Sequence, residues 1–319
     1  MLHSVNQSED LVVTTPHKIE PYPFGLFSVA SVSEYTEAQD SWARYTAHEY
    51  NSKAFRGTNL STRDATAYTL SDTIGSPRFL EYTPFAIEIE DYASTFGINA
   101  QDRFKRSLAI LDGISQKALE RELWEGDCAK IGTGTSGSPT PNNNNYLTKQ
   151  SASTNITVTS AGDNPRLALA NIENSLSLCP LGQRGTIHMS HKVASILTGV
   201  GLLQRIDFLA RMDKDDVNEK GQALVTLLGT PVIVGSGYTG NGPVGATGAS
   251  ATATAEWIFA TGLVDAHLGA SRVINEDLAR AVAPNTNDAH IRAARTAAVH
   301  FEPCCHYAVR VDLSTINNF

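Results

Sequence analysis

The sequence predicts an α+β fold drawn out as an extended subunit, and three observations predict it. The first third, Met1 to Gly97, reads as a polar arm and then a strand-like stretch poor in aliphatic residues. One long amphipathic helix follows, from about Asn99 to Glu125. After it, helix and strand alternate in a compact stretch that closes on a strand of clear period-2 alternation. An arm and a ribbon have little of their own to bury them, so neighbouring copies of the chain are the expected cover. The pattern points to an assembling subunit before it points to an enzyme.

The arm, Met1 to about Tyr45, is interrupted by Pro16, Pro21 and Pro23. Proline fixes φ and biases the residue before it toward extended backbone, so the arm is expected to be extended. A short helix is expected over Val32–Tyr45, capped by Ser33, with Glu34 and Glu37 in its first turn and Trp42 and Tyr45 as anchors. From Thr46 to Tyr92 the chain reads as a hairpin. Its near limb and tip carry Lys53, Arg56, Gly57, Arg63, Asp64, Asp72, Gly75 and Pro77. Its far limb starts at Phe79 and ends with Phe85, Ile87 and Ile89 on one side and Glu88 and Glu90 on the other.

Asn99 is a good cap for the long helix, and Asp102 sits in its first turn. Phe104, Leu108, Leu111, Leu119 and Leu123 mark one buried stripe, with Asp112, Lys117, Glu120 and Arg121 off it. At the usual rise per residue the helix is on the order of 40 Å long. Gly126 and the Gly/Ser/Asn-rich run from Gly132 to Asn145 end it in a loop. Strands are expected at Asn155–Thr159, Thr186–Met189, Leu224–Leu228, Pro231–Val234 and Glu256–Thr261. Helices are expected at Asn164–Leu178, with Pro165 at the first position, and at His191–Thr198. Ile291–Phe301 and Tyr307–Leu313 flank a turn at Glu302 and Pro303. In the final strand Tyr307, Val309, Val311 and Leu313 face one way and Ala308, Arg310 and Asp312 the other.

Composition narrows the function. The 319 residues, 41% of them apolar, can bury one or two sizeable cores. Charged residues are only 18%, which leaves Ala, Gly, Thr and Asn to build broad, weakly charged contact surfaces. A net charge of −8 argues against a sequence-reading nucleic-acid binder and is compatible with a wall that encloses nucleic acid without gripping it. The densest basic cluster, Arg103, Lys105 and Arg106, lies in the first turns of the long helix. No apolar run approaches the roughly 20 residues a bilayer span needs. The N-terminus lacks a leader layout, so a cytoplasmic chain is expected. Cys128, Cys179, Cys304 and Cys305 show no C-x-x-C spacing and are expected to be reduced and mostly packed.

Motifs that could carry chemistry are weak. Gly235–Gly240 matches G-x-G-x-x-G after the strand Pro231–Val234, with Glu256 about 20 residues later. The residues that follow, Asn241-Gly-Pro-Val-Gly-Ala-Thr-Gly, cannot open the helix that would receive a pyrophosphate. The loop is expected to be a surface or subunit-contact loop, and a nicotinamide-dependent oxidoreductase is the competing reading. His188 and His191 straddle a strand–helix junction and lack the glutamate of a zinc-protease helix. Cys304, Cys305, His306 and His300 flank a turn, and adjacent strand residues point to opposite faces. Asp213 to Glu219 reads as a solvated loop, its spacing unsuited to calcium. There is no nucleophile elbow and no P-loop. No catalytic residue, metal or cofactor is expected.

The order of parts resembles the major capsid protein of tailed bacteriophages, the HK97-type subunit. The resemblance rests on the helix Asp102–Glu125, the run Gly229-Thr-Pro-Val-Ile-Val-Gly, the run Glu256-Trp-Ile-Phe-Ala-Thr-Gly-Leu-Val, and the closing strand His306-Tyr-Ala-Val-Arg-Val-Asp-Leu. It implies an N-terminal arm over residues 1–45 and an extended hairpin (E-loop) over 46–97. A long spine helix with a peripheral-domain strand would span 98–164, an axial domain 165–270, and peripheral-domain return strands 271–319. It implies a protein that self-assembles into pentamers and hexamers of an icosahedral head around double-stranded DNA, made in the host bacterial cytoplasm. Subunit contacts are expected at Trp42, Lys53, Arg56, Arg63, Phe79, Trp124 and Tyr238. Expected partners are a separate scaffolding protein, a portal and a decoration protein. Lys53 with Asn285 or Asn287 are the residues a covalent cross-link would use. An encapsulin nanocompartment shares the same subunit plan and is the nearest alternative.

Overall fold

The computed structural model describes residues 22–35, 45–48, 79–82, 84–94, 100–131, 140–141, 146–149, 157–178, 185–209, 220–274, 282–283, 288–302 and 306–314. A 3-10 turn at Leu26–Ser28 leads into β1 (Ser31–Tyr35). β2 (Tyr45–His48) and β3 (Phe79–Tyr82) pair antiparallel, with Tyr45 opposite Tyr82 and His48 opposite Phe79. These two strands form the stem of a hairpin. β4 (Phe85–Ser94) precedes α1 (Ala100–Glu125), and β5 (Lys130–Ile131) pairs with β6 (Thr140–Pro141). Next come β7 (Thr157–Asp163), α2 (Pro165–Ser177), β8 (Thr186–Ser190) and α3 (His191–Gly199). β9 (Leu203–Leu209), β10 (Lys220–Thr226), β11 (Pro231–Gly235) and β12 (Ala255–Thr261) follow. The chain ends with β13 (Val264–Gly269), β14 (Arg272–Val273), β15 (Val282–Ala283), β16 (Asp288–Phe301) and β17 (Tyr307–Asp312).

Two sheets carry the fold. The larger has seven strands in the order β7-β17-β12-β8-β11-β10-β9. Ile187, Val232, Val234, Ile258, Ala260, Val309 and Val311 lie in one core with the buried residues of α2 and α3. Asn164 caps α2 by accepting from the Leu167 amide at 2.9 Å, and Pro165 takes the first helical position, where its missing N–H costs nothing. Ser190 caps α3 in the same way through the Val193 amide.

The smaller sheet has six strands built around β16. β13, β14 and β15 pair in turn along one edge of β16, and β4 runs along the other over ten registered residues, Phe85 opposite Ala297 to Ser94 opposite Asp288. α1 packs on β16 and β4. Leu111, Leu119 and Leu123 of the expected stripe are fully buried there, beside Phe85, Ile87, Val299 and Phe301.

Consecutive strands carry the chain from one sheet to the other. β12 pairs with β17 in the larger sheet, and their continuations β13 and β16 pair in the smaller. At the crossing the two backbones remain bonded, Gly262 N–H to Glu302 O at 3.2 Å and Glu302 N–H to Leu263 O at 2.9 Å.

Three expectations change. Ser31–Tyr35 is a strand, not the start of a helix: it lies parallel to β13, Ser31 opposite Asp265 and Tyr35 opposite Gly269. A helix of about four turns is still marginal by itself, whereas an open ladder on β13 supplies hydrogen bonds at once. The expected far limb divides, since β3 pairs with β2 while β4 is bound to the chain's own β16. Phe85 and Ile87, each 6% exposed, and Leu26, at 0%, are therefore buried within the chain's own body and need no neighbour. Sheet membership also crosses the expected boundaries at 164–165 and 270–271. β7 and β17 join the larger sheet, and β13 joins the smaller.

Candidate functional site: the junction of the two sheets

The last turns of α1 lie where the sheets meet. Trp124 is fully buried, edge-to-face with Phe259 at 4.9 Å between ring centroids and 4.4 Å from the ring of Tyr238. Its indole N–H donates to Asn241 O at 3.1 Å. Tyr238 is only 7% exposed. Neither residue has the surface to meet a neighbour, which corrects the expectation that both are subunit contacts: aromatic area of this size is held in the core. Phe79 lies in β3. Trp42, Lys53, Arg56, Arg63, Asn285, Asn287, Cys179, Cys304, Cys305 and the Asp213–Glu219 loop lie outside the described residues.

Glu120, expected off the buried stripe, is 0% exposed. One carboxylate oxygen accepts from the Leu26 amide and from Gln116 Nε2, each at 3.0 Å. The other accepts from the Ser236 hydroxyl at 2.9 Å and from the Gly237 amide at 3.0 Å. Four donors from three stretches of chain satisfy the carboxylate without a cation. Glu122, also fully buried, accepts from the amides of Cys128 and Ala129 at 2.7 and 2.9 Å and so holds the chain as it leaves the helix. The apolar period missed both because a helix wrapped on several sides buries more than its apolar stripe. Arg295, 8% exposed, anchors the same helix through Asp112 at 3.0 Å.

This geometry settles what the glycine loop does locally. The Ser236 hydroxyl and Gly237 N–H, donors a dinucleotide phosphate would need, are already given to Glu120. Gly237 is glycine because the loop presses on α1: a Cβ there would stand 2.6 Å from Lys117 O. Gly240 leads into extended chain and turns, not a helix. Glu256 is engaged by the Ser190 hydroxyl and by Lys192 Nζ at 3.0 Å.

The histidines are structural as well. His188 is fully buried, with Nδ1 3.0 Å from the Tyr238 hydroxyl and Nε2 2.9 Å from Thr261 Oγ1. Thr261 gives its one hydroxyl hydrogen to Gly262 O at 3.1 Å, so it accepts from His188 Nε2–H, and Nδ1 accepts from Tyr238. The ring is neutral, with no lone pair left for a metal. Burial, with a smaller push from His306, lowers its pKa to about 3. His306 packs against Phe301 at 4.9 Å, and burial takes its pKa to about 3 against the pull of the Leu147 backbone. His300 stacks on His267 at 5.7 Å and lies 3.4 Å from Asp265; burial is the largest influence and brings it to about 4. His191 is at the surface, edge-to-face with Tyr22 at 4.2 Å. Among the described residues no group of three His, Cys, Asp or Glu could hold a metal ion, and no helix could cross a membrane.

A groove of about 540 Å³ opens between α3, β10 and Tyr22, lined by Phe24, Ala194, Leu224 and Val234 with Arg205 at its side. His191 also lines it, and no carboxylate stands among its lining residues. Elsewhere the surface carries bare apolar side chains at turns: Leu227 and Leu228, 57% and 79% exposed, at the β10–β11 turn, and Leu178, 71% exposed, at the end of α2.

No sequence-family model and no curated protein matches the chain. Solved structures do. The holo-SrpI encapsulin complex from Synechococcus elongatus PCC 7942 superimposes with a TM-score of 0.51 at 12% identity, over 94% of this chain and 92% of that one. The capsid of an empty GTA particle gives a TM-score of 0.51 at 12% identity, over 93% of each chain. The likeness runs over nearly the whole of each chain, and the chain has the α+β fold of the HK97-type capsid subunit.

Proposed function

We propose that the chain is a shell-forming structural protein, the major capsid protein of a tailed bacteriophage. Copies associate into pentamers and hexamers of an icosahedral head that encloses double-stranded DNA. The observation that carries this reading is the end-to-end likeness to two shell subunits, above nine-tenths of each chain. Exposed leucines at the β10–β11 turn and the end of α2 support it, since a partner copy would remove them from water. So does the net charge of −8, which gives packed DNA little cationic surface to displace its counterions. Individual contacts can be modest, because many act together in a closed shell. Trp42, Lys53, Arg56, Arg63 and Phe79 belong to this proposal as subunit contacts, and a scaffolding protein, portal and decoration protein as partners.

An encapsulin shell is the second reading, favoured by the fact that one of the two neighbours is itself an encapsulin. Purifying particles from expressing cells and identifying their contents decides between them. Nuclease-protected double-stranded DNA in particles made with the viral packaging partners supports the capsid, and protease-protected enzyme cargo supports the nanocompartment. A chain that stays monomeric under every assembly condition refutes both.

A further inference from the structure

We infer that Glu120 is the latch that fixes the angle between the two sheets of the subunit, and, on the shell reading above, the curvature each subunit contributes. The chain passes between the sheets at the crossing strands, where Gly262 and Glu302 bond backbone to backbone, and the core around Trp124 and Phe259 packs between them. Glu120 rides on α1, which packs on β16 and β4 of the smaller sheet. Of its donors, Gln116 is on α1 itself, Ser236 and Gly237 follow β11 of the larger sheet directly, and the segment that carries Leu26 is tied to β11 by Val234 N–H to Phe24 O at 2.8 Å before it enters β1 of the smaller sheet. The carboxylate therefore ties α1 to the loop that follows β11 and to the segment that bridges β11 and β1.

The fit around it is close. Gly25 leaves no room for a Cβ beside Gln116 and Glu120, and a Cβ at Gly237 would meet Arg121 N at 2.8 Å. Both passing backbones are glycine where they touch the helix, so the grip has one seating and any rotation of the sheets must break it. In a closed shell a small change of angle is repeated in every copy and appears as a change in diameter.

The test is Glu120→Gln, an isosteric change that turns one acceptor into a donor facing donors. The amides of Leu26 and Gly237 should exchange with deuterium roughly tenfold faster or more, while those of β16 hold their rates. Shells of the variant should shift or broaden in diameter by electron microscopy. Ser236→Ala, which removes one donor at an exposed residue, gives a smaller change at the Gly237 amide and serves if the first variant does not fold. Unchanged exchange, or wild-type diameters from a variant whose amides do open, overturns the inference. A wild-type chain that forms no shells refutes the shell reading instead, and the exchange rates then decide the latch alone.

Discussion

Acidification should unfold this protein through its buried histidines, and His188 gives the cleanest test. Its pKa is about 3 in the folded chain and about 6.5 when the chain is unfolded. Between those values the unfolded state holds a proton that the folded state refuses, so stability falls as pH falls. The slope is about 1.4 kcal/mol per pH unit for each such group. Going from about pH 7.5 to about pH 4.5 therefore removes about 2–3 kcal/mol through His188 alone. His306, 4% exposed with a pKa of about 3, adds a similar amount. Together they take about 5 kcal/mol from a total that for most domains is about 5–15 kcal/mol. The assay is urea denaturation of the unassembled chain at the two pH values, wild type against His188→Gln. Glutamine keeps an amide donor for Thr261 and an acceptor for Tyr238 but cannot take the proton. The variant starts from lower stability and should lose about 2–3 kcal/mol less on acidification than wild type does. Equal losses in the two proteins would refute the assignment of His188 as a neutral, buried ring.

Trp124→Ala should lower stability by about 3–5 kcal/mol in the unassembled chain, read from the denaturant midpoint, because Trp124 fills the junction core. Full stability with lost assembly would instead return it to the subunit surface. Leu228→Asp should change stability by less than about 0.5 kcal/mol yet reduce particle yield by size-exclusion chromatography, since the side chain is 79% exposed. An unchanged yield would remove that turn from the contacts. Asn164→Ala should cost about 1 kcal/mol through the lost cap of α2, visible in thermal unfolding followed by circular dichroism. Titration with a nicotinamide cofactor should show no saturable binding, because Glu120 already takes the donors of the Gly235–Gly240 loop.

Local rules determined much of this protein from its sequence. α1 ends at Glu125 because Gly126 takes a φ of 65°, a left-handed conformation that glycine adopts without strain. α2 begins where an asparagine cap meets a proline, and β17 follows its own alternation, with Val309 and Val311 in one core and Ala308 in the other. Signals of that kind depend on neighbours a few residues away. What only the tertiary structure decided depends on partners tens or hundreds of residues off. Ser31–Tyr35 becomes a strand because β13 offers an edge, and β4 leaves the ribbon because β16 and α1 offer burial. Leu203–Leu209 and Val264–Gly269 went unread as strands for the same reason: β9 is defined by its ladder to β10, and β13 by its ladders to β1 and β16. Glu120 shows the limit most sharply. By period it is a solvent-facing glutamate, and it is buried because backbone donors 94 and 117 residues away in the chain converge on it.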